Sequence, residues 1–321
     1  MMTLAMVFPG QGSQSQGMLA ELAVDQPVVK STFDEASSVL GYDLWALVKD
    51  GPAEALDRTD RTQPALLTAG VAVYRVWTER NGPAPAMMAG HSLGEYTALV
   101  CADALDFATA VDLVRFRGEV MQSAVPVGEG AMAAVLGLDD AQVDEACRRG
   151  ADGDVVSPVN FNSPGQVVIA GSSAAVGRAA ATARELGAKR VVPLPVSVPS
   201  HCALMEPAAE QLAARLAGIE IRAPRIPVVH NTDAEPHADP DAIRGVLAAQ
   251  LCKPVRWTDC VRTLAAAGVD TVVEAGPGKV LSGLNRRIDR ALTSYPVFDT
   301  NTLEAAIKGM TSQDIGGGNT R

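Results

Sequence analysis

The chain has 321 residues, of which 47% are hydrophobic and 20% charged, and its formal net charge is −10. That length and balance suit one large globular domain or two smaller ones, and the acidic balance argues against general affinity for nucleic acid. No apolar run approaches the ~18 residues of a membrane-spanning helix. The cysteines Cys101, Cys147, Cys202, Cys252 and Cys260 show no C-x-x-C spacing; they fit reduced thiols in a cytoplasm better than a disulfide framework or a zinc site.

In chain order, Met1–Phe8 is apolar but short and lacks a basic leader. Leu4–Phe8 therefore reads as a first strand, not a signal peptide, and it runs into the turn Pro9–Gln14. Helices are expected over Val28–Leu40 and Pro64–Arg80. Ala84–Ala89 is a short apolar run suited to a buried strand, and Glu95–Ala102 carries helix formers without Pro or Gly. Between them stands Gly90-His91-Ser92-Leu93-Gly94, a G-x-S-x-G pattern. Strand, sharp turn and helix make a nucleophile elbow, which lifts a serine hydroxyl out of the backbone. A helix is expected next over Phe107–Ala124.

From about Gly128 the rhythm changes. Ala131–Leu138 reads as a strand and Asp139–Arg149 as a helix capped by Asp139 or Asp140. Val155–Asn160 and Gln166–Ala170 read as strands around the turn-rich Asn162–Gly165. Ser172–Gly187 reads as a helix and Arg190–Val196 as a strand. The order β-α-β-β-α-β is that of a ferredoxin-like unit. The expected organisation is a discontinuous α/β domain, residues 1–127 and 197–310, carrying this unit at 128–196. Beyond it, Ala203–Leu216, Pro240–Leu251, Val261–Ala267 and Val280–Leu292 read as helices, and Pro227–His230 and Thr271–Glu274 as strands. The tail 311–321, with Gly316-Gly317-Gly318, is expected to be disordered.

A serine hydroxyl needs a base, and the chain offers four histidines. His91 lies inside the elbow, where the turn sends neighbouring side chains apart. His237 sits in a polar loop with Asp233, Glu235 and Asp239. His201 and His230 both follow strand-like runs, where α/β active sites collect; His201 is preferred and His230 is the alternative. No acid stands out as a triad member, so a carbonyl orienting the imidazole, a dyad, is plausible. The Gly10-Gln11-Gly12 loop fails the phosphate-loop patterns, since position 15 is serine and no Gly-Lys-Ser/Thr follows. It reads better as a source of a backbone N–H for an oxyanion hole, with Leu93 after the nucleophile as the other donor.

Arg117 has Leu113, Val114, Val120 and Met121 at helical spacing around it, so it projects from a buried face. A buried guanidinium needs a partner, either a carboxylate of the protein or one of the substrate. Arg115, by contrast, has Asp112 and Glu119 at ion-pairing distance along the helix. Cys202 beside His201 reads as a small core residue.

Several separated segments carry a family resemblance: Phe8–Gln14, Gly90–Tyr96, Arg117 with Gly118 and Met121, Asn160–Gln166, Pro199–Met205 and Glu274–Gly278. In this order they closely resemble the bacterial malonyl-CoA:acyl carrier protein transacylases of type II fatty acid synthesis, over about Thr3–Asn301. The resemblance implies an α/β-hydrolase-like large domain with a ferredoxin-like insertion. It makes Ser92 the nucleophile, His201 the base and Arg117 the clamp for the free malonyl carboxylate. The N–H groups of Gln11 and Leu93 would form the oxyanion hole. Gln250 matches the position whose main-chain carbonyl orients the histidine, and Met121 and Asn160 match positions lining the acyl site.

The implied reaction is ping-pong transfer of malonyl from malonyl-CoA to the phosphopantetheine thiol of acyl carrier protein, with no metal and no cofactor beyond these substrates. Related polyketide acyltransferases carry a short selectivity motif ending at the histidine; here Val198-Pro199-Ser200-His201 matches neither the malonyl nor the methylmalonyl form. Carrier proteins are acidic, so docking should use basic patches, for which Arg286 and Arg287 (near Arg290) and Lys189 and Arg190 are the candidates. A cytoplasmic monomer without nucleic-acid or membrane partners is expected. The alternatives are a discrete polyketide acyltransferase, the transferase of a malonate decarboxylase, or a serine (thio)esterase.

Overall fold

The computed structural model describes residues 2–195 and 198–316. Its strands, in chain order, are β1 (Leu4–Phe8), β2 (Met87–Gly90), β3 (Gly130–Leu136), β4 (Val156–Ser163), β5 (Gln166–Ser172), β6 (Arg190–Pro193), β7 (Val228–Val229), β8 (Thr271–Ala275) and β9 (Thr293–Val297). They form two sheets. One is parallel, in the order β7-β2-β1-β8-β9. The other is antiparallel, in the order β4-β5-β3-β6.

The parallel sheet is apolar on both faces because helices cover both. Along β1, Leu4, Met6 and Phe8 enter one core with Leu66, Tyr96 and Leu113, while Ala5 and Val7 enter the opposite one with Trp257, Val261 and Leu284. This alternation is the two-residue period of a strand. A separate core, including Val135, Val143, Ile169 and Val176, joins the antiparallel sheet to its own two helices. The antiparallel sheet is tied through β4 to the segment before the helix Trp257–Ala266: Val255 N–H donates to Val159 O at 2.8 Å and Phe161 N–H donates to Val255 O at 2.9 Å.

The α/β class and the alternation of elements agree with the sequence pattern, and the differences have local causes. The helix expected from Pro64 begins at Thr59 and carries Pro64 inside it. The helix expected over Ala203–Leu216 is split: a 3-10 turn, Ala203–Met205, precedes a helix Glu206–Leu216 whose first turn holds Pro207, a position proline tolerates. The helix expected over Val280–Leu292 stops at Ile288, because Asp289 takes extended backbone, and an unforeseen strand, β9, follows. Strand β4 runs on to Ser163, leaving only Pro164-Gly165 as the turn. Asp139 is the helix cap, accepting from Gln142 N–H at 2.8 Å. The tail expected to be disordered from Thr311 instead continues the helix Thr300–Gly316, and 317–321 lie outside the described residues. The strand expected to reach Val196 ends at Pro193; Val196 itself lies outside the described residues. Among the described residues, no helix is long and apolar enough to cross a membrane.

Candidate active site

Parallel strands end at one edge, where the loops leaving them meet. Phe8 of β1 pairs in register with Gly90 of β2, so the loop after β1 lies beside the turn after β2. His91 N–H donates to Phe8 O at 2.9 Å and fastens one to the other. A Cβ on Gly90 would lie 1.9 Å from the Gly94 carbonyl, and one on Gly94 would lie 2.1 Å from Phe8 O. The two glycines thus supply closeness. The left-handed residue of the turn is Ser92 itself, at φ +52.

Ser92 Oγ stands 2.8 Å from His201 Nε2, and His201 Nδ1 stands 2.7 Å from the Gln250 carbonyl. A carbonyl only accepts, so the proton sits on Nδ1 and Nε2 is free to accept from the serine. Burial, and then the nearby Arg117 charge, push the His201 pKa down to about 3. The resting imidazole is therefore neutral at physiological pH.

Arg117 lies on the helix Phe107–Ala124 with its side chain 1% exposed. Nη1 donates to Gln63 Oε1 at 2.7 Å, and Nη2 donates to Gln250 Oε1 at 3.0 Å. Nη2 is also 3.5 Å from Ser92 Oγ, and Nε has no partner. Among the described residues no carboxylate pairs with it. Burial lowers its pKa. The protein thus supplies neutral acceptors but no directly contacting countercharge, a costly arrangement unless something else provides one. Arg115, as its spacing predicts, pairs with Asp112 and Glu119 on the helix exterior.

Beneath the serine lies a buried polar network. Ser92 N–H donates to Asn231 Oδ1 at 2.7 Å, and Gln250 Nε2 donates to Ser92 O at 3.0 Å. Both amides rest on fully buried Glu95: its Oε2 accepts from Asn231 N–H and from Gln250 Nε2, each at 2.9 Å. Its Oε1 faces His230 Nδ1 at 2.8 Å. His230, the alternative base, therefore serves this carboxylate and does not meet Ser92. Gln63, Glu95 and Asn231 were not legible as site residues. For Glu95 a signal existed: Ala98 and Leu99, three and four residues on, are apolar, the same spacing that marks Arg117 as buried.

Gln11 and Leu93 both line a cavity with Ser92, His201, Arg117, Met121 and Asn160. Among the described residues, neither the Gln11 N–H nor the Leu93 N–H has an intramolecular partner. Met121 Sδ also accepts from Gln63 Nε2 at 3.4 Å. Asn160 Oδ1 is buried without a partner. A second cavity of about 210 Å³ shares Gln11, His91, Asn160 and Leu194 with the first and extends along Gln166, Val280 and Leu284. The shared lining makes one passage between the loops leaving β1 and β2 and the strands β3, β4 and β5.

At the outer end of this passage, the two basic clusters converge. Arg287 Nη1 donates to Gln166 Oε1 at 2.8 Å. Gln166 and Arg190 are both in register with Leu136 of β3, on either side of it, so they sit two strand spacings, about 10 Å, apart. Lys189, Arg190, Arg286 and Arg287 are exposed, and among the described residues none makes an ion pair. His91 packs beside the site, with Nε2 2.8 Å from Asn162 Oδ1 and its ring tilted against Trp257. His237 pairs with Asp233 at 2.7 Å, away from the serine.

Residues 5–316 match the family described as the acyl transferase domain. The malonyl CoA-acyl carrier protein transacylase of Escherichia coli K12 is 59% identical over 308 residues, 96% of this chain and all of that protein. That of Bacillus subtilis is 45% identical over 315 residues, covering 98% of this chain and 99% of its own. Among solved structures, a malonyl-transacylase in complex with a type II polyketide synthase acyl-carrier protein superposes with a TM-score of 0.95 at 57% identity, covering 96% of this chain and 99% of that one.

Proposed function

The chain belongs to the acyl transferase domain family, and from that premise we propose that it moves a malonyl group from malonyl-CoA to the phosphopantetheine thiol of an acyl carrier protein, as extender for fatty acid synthesis. The observation that carries this reading is the buried Arg117 guanidinium, without a carboxylate of its own, 3.5 Å from the Ser92 hydroxyl. A simple esterase has no use for that charge, whereas a malonyl carboxylate can accept from it. The strand order β4-β5-β3-β6 supports a ferredoxin-like unit inserted into an α/β-hydrolase-like domain.

In the proposed first half-reaction, the malonyl carboxylate sits on Arg117 and the thioester carbonyl lies over Ser92. His201 Nε2 takes the serine proton as Oγ bonds to the carbonyl carbon. The Nδ1–H stays on the Gln250 carbonyl, which stabilises the imidazolium that forms. The oxyanion is held by the Gln11 and Leu93 N–H groups, with the helix N-terminus beneath favouring negative charge. The carbon–sulfur bond then breaks, the CoA sulfur takes the proton from His201, and a malonyl-serine ester remains. In the second half-reaction the carrier thiol gives its proton to His201 and attacks the ester. Ser92 leaves and recovers that proton. Neither step calls for a metal or a cofactor.

The lining that the two cavities share, running past Asn160 to Gln166, supports a course for the pantetheine arm there, and the basic end formed by Lys189, Arg190, Arg286 and Arg287 supports docking of an acidic carrier. Intact-protein mass spectrometry with malonyl-, methylmalonyl- and acetyl-CoA tests the reading. A malonyl adduct on the wild type, absent from Ser92→Ala and discharged by carrier protein, is the expected result. An enzyme that releases free malonate at the rate of transfer is a hydrolase instead.

A further inference from the structure

The buried guanidinium of Arg117 raises a question of charge balance. Its nearest buried carboxylate is Glu95, and the two do not touch. The side-chain amide of Gln250 lies between them: Oε1 accepts from Arg117 Nη2 at 3.0 Å, and Nε2 donates to Glu95 Oε2 at 2.9 Å. Glu95 already accepts from the Asn231 N–H and faces His230 Nδ1. His230 Nε2 is buried with no partner. A proton there would be an unsatisfied buried donor, so His230 is best satisfied as the neutral tautomer carrying its proton on Nδ1. It can donate to Glu95 without cancelling its charge. The charge left to balance Glu95 is that of Arg117, and Tyr96 first and then Glu95 oppose the loss of the Arg117 proton that burial favours.

We propose that Glu95 is the remote countercharge of Arg117, held one amide away by the Gln250 side chain so that the guanidinium stays charged while its cavity-facing side remains free for the substrate carboxylate. A direct Arg–Glu fork would occupy the donors that a substrate must use. A guanidinium with no countercharge would be expensive to bury. The interposed amide meets both conditions and also holds Ser92 O. Glu95 is thus a positioning residue for the reaction. Only the identity of the occupying carboxylate rests on the malonyl reading above.

A substrate-free thermal double-mutant cycle tests this, using the full chain as wild type, Glu95→Gln, Arg117→Met and the double variant. Each single change leaves one buried charge unbalanced and is expected to lower the melting temperature by roughly 5–10 °C. The double change removes both charges, so it is expected to melt at or above Glu95→Gln alone. Additive losses, as from two unrelated structural residues, overturn the proposal. Should Glu95→Gln fail to fold, recovery of a folded protein in the double variant supports it, and failure of both overturns it. Malonyl-CoA should raise the melting temperature of Glu95→Gln more than that of the wild type, and acetyl-CoA should not. Coupling in the cycle without this malonyl effect keeps the countercharge and refutes the malonyl occupant.

Discussion

Ser92 and His201, which meet at 2.8 Å, both stand on left-handed backbone, at φ +52 and +67. Neither is a glycine, so each holds a conformation that L side chains disfavour by roughly 1–2 kcal/mol. The surrounding structure enforces it: Asn231 and Gln250 grip the N–H and C=O of Ser92, and the His201 N–H donates to Leu251 O at 2.9 Å. Ser92→Gly should therefore melt roughly 2–4 °C above Ser92→Ala, because both lose the hydroxyl but only glycine relaxes at this φ. Differential scanning calorimetry of the two variants decides it; equal melting temperatures would mean that the turn stores no strain.

Arg117→Ala should separate substrates by their free carboxylate. Loss of a buried charge-assisted partner is worth about 2–5 kcal/mol, or about 30- to 5,000-fold in kcat/KM for malonyl-CoA. Acetyl-CoA, with nothing to offer the guanidinium, should lose far less. Parallel losses for both substrates would return Arg117 to a purely structural role.

Burial and the Arg117 charge hold the His201 pKa down to about 3, which fixes the sign of the pH dependence. A depressed pKa keeps the base neutral as the pH falls, so serine acylation should persist well below the ordinary histidine value of 6.5. The acid limb of kcat/KM, which reports the free enzyme, is expected below about pH 5. A bound malonyl carboxylate offsets the Arg117 charge, so the limb of kcat should lie higher. A kcat/KM limb at 6.5 would show a solvated base.

The exposed cations at the outer end of the passage, which form no ion pair among the described residues, make a kinetic prediction. Charge reversal of Arg286 and Arg287 should raise KM for the carrier about tenfold, steepest at low salt, since exposed charges steer encounter and are screened. Formation of the malonyl-serine ester should change less. Reversal of Lys189 and Arg190 should act on the same step, because the register through Leu136 puts them on the same patch as Arg287. Carrier kinetics unchanged in both variants would remove this surface from docking.

Much of the site was legible because its signals are local. The elbow shows in Gly90–Gly94 because two glycines and a serine must lie within one turn. The buried face of Arg117 shows because helical spacing brings Leu113, Val114, Val120 and Met121 around it. The β-α-β-β-α-β order showed because each strand is bounded by turn residues. The short helices Ala20–Asp25, Leu44–Asp50 and Ala53–Leu56 were missed for want of a long apolar period. Strand β9 was missed because Thr293–Val297 is only half-buried at a sheet edge and carries Pro296.

By itself, the sequence determined which residues are chemically able to act: one serine in an elbow, a few histidines, and one arginine on an apolar helix face. The sequence prefers His201 but leaves His230 open, because both follow similar runs; the tertiary structure brings His201 to the serine and turns His230 to Glu95. It decided that Gln250 acts through both its carbonyl and its side chain, and that Glu95 lies one amide from Arg117, since these partners are 22 to 155 positions apart along the chain. It also merged two separate basic clusters into one patch. Propensity and periodicity report what a segment does with its own neighbours in sequence, and a charge balanced across the core belongs to no single segment.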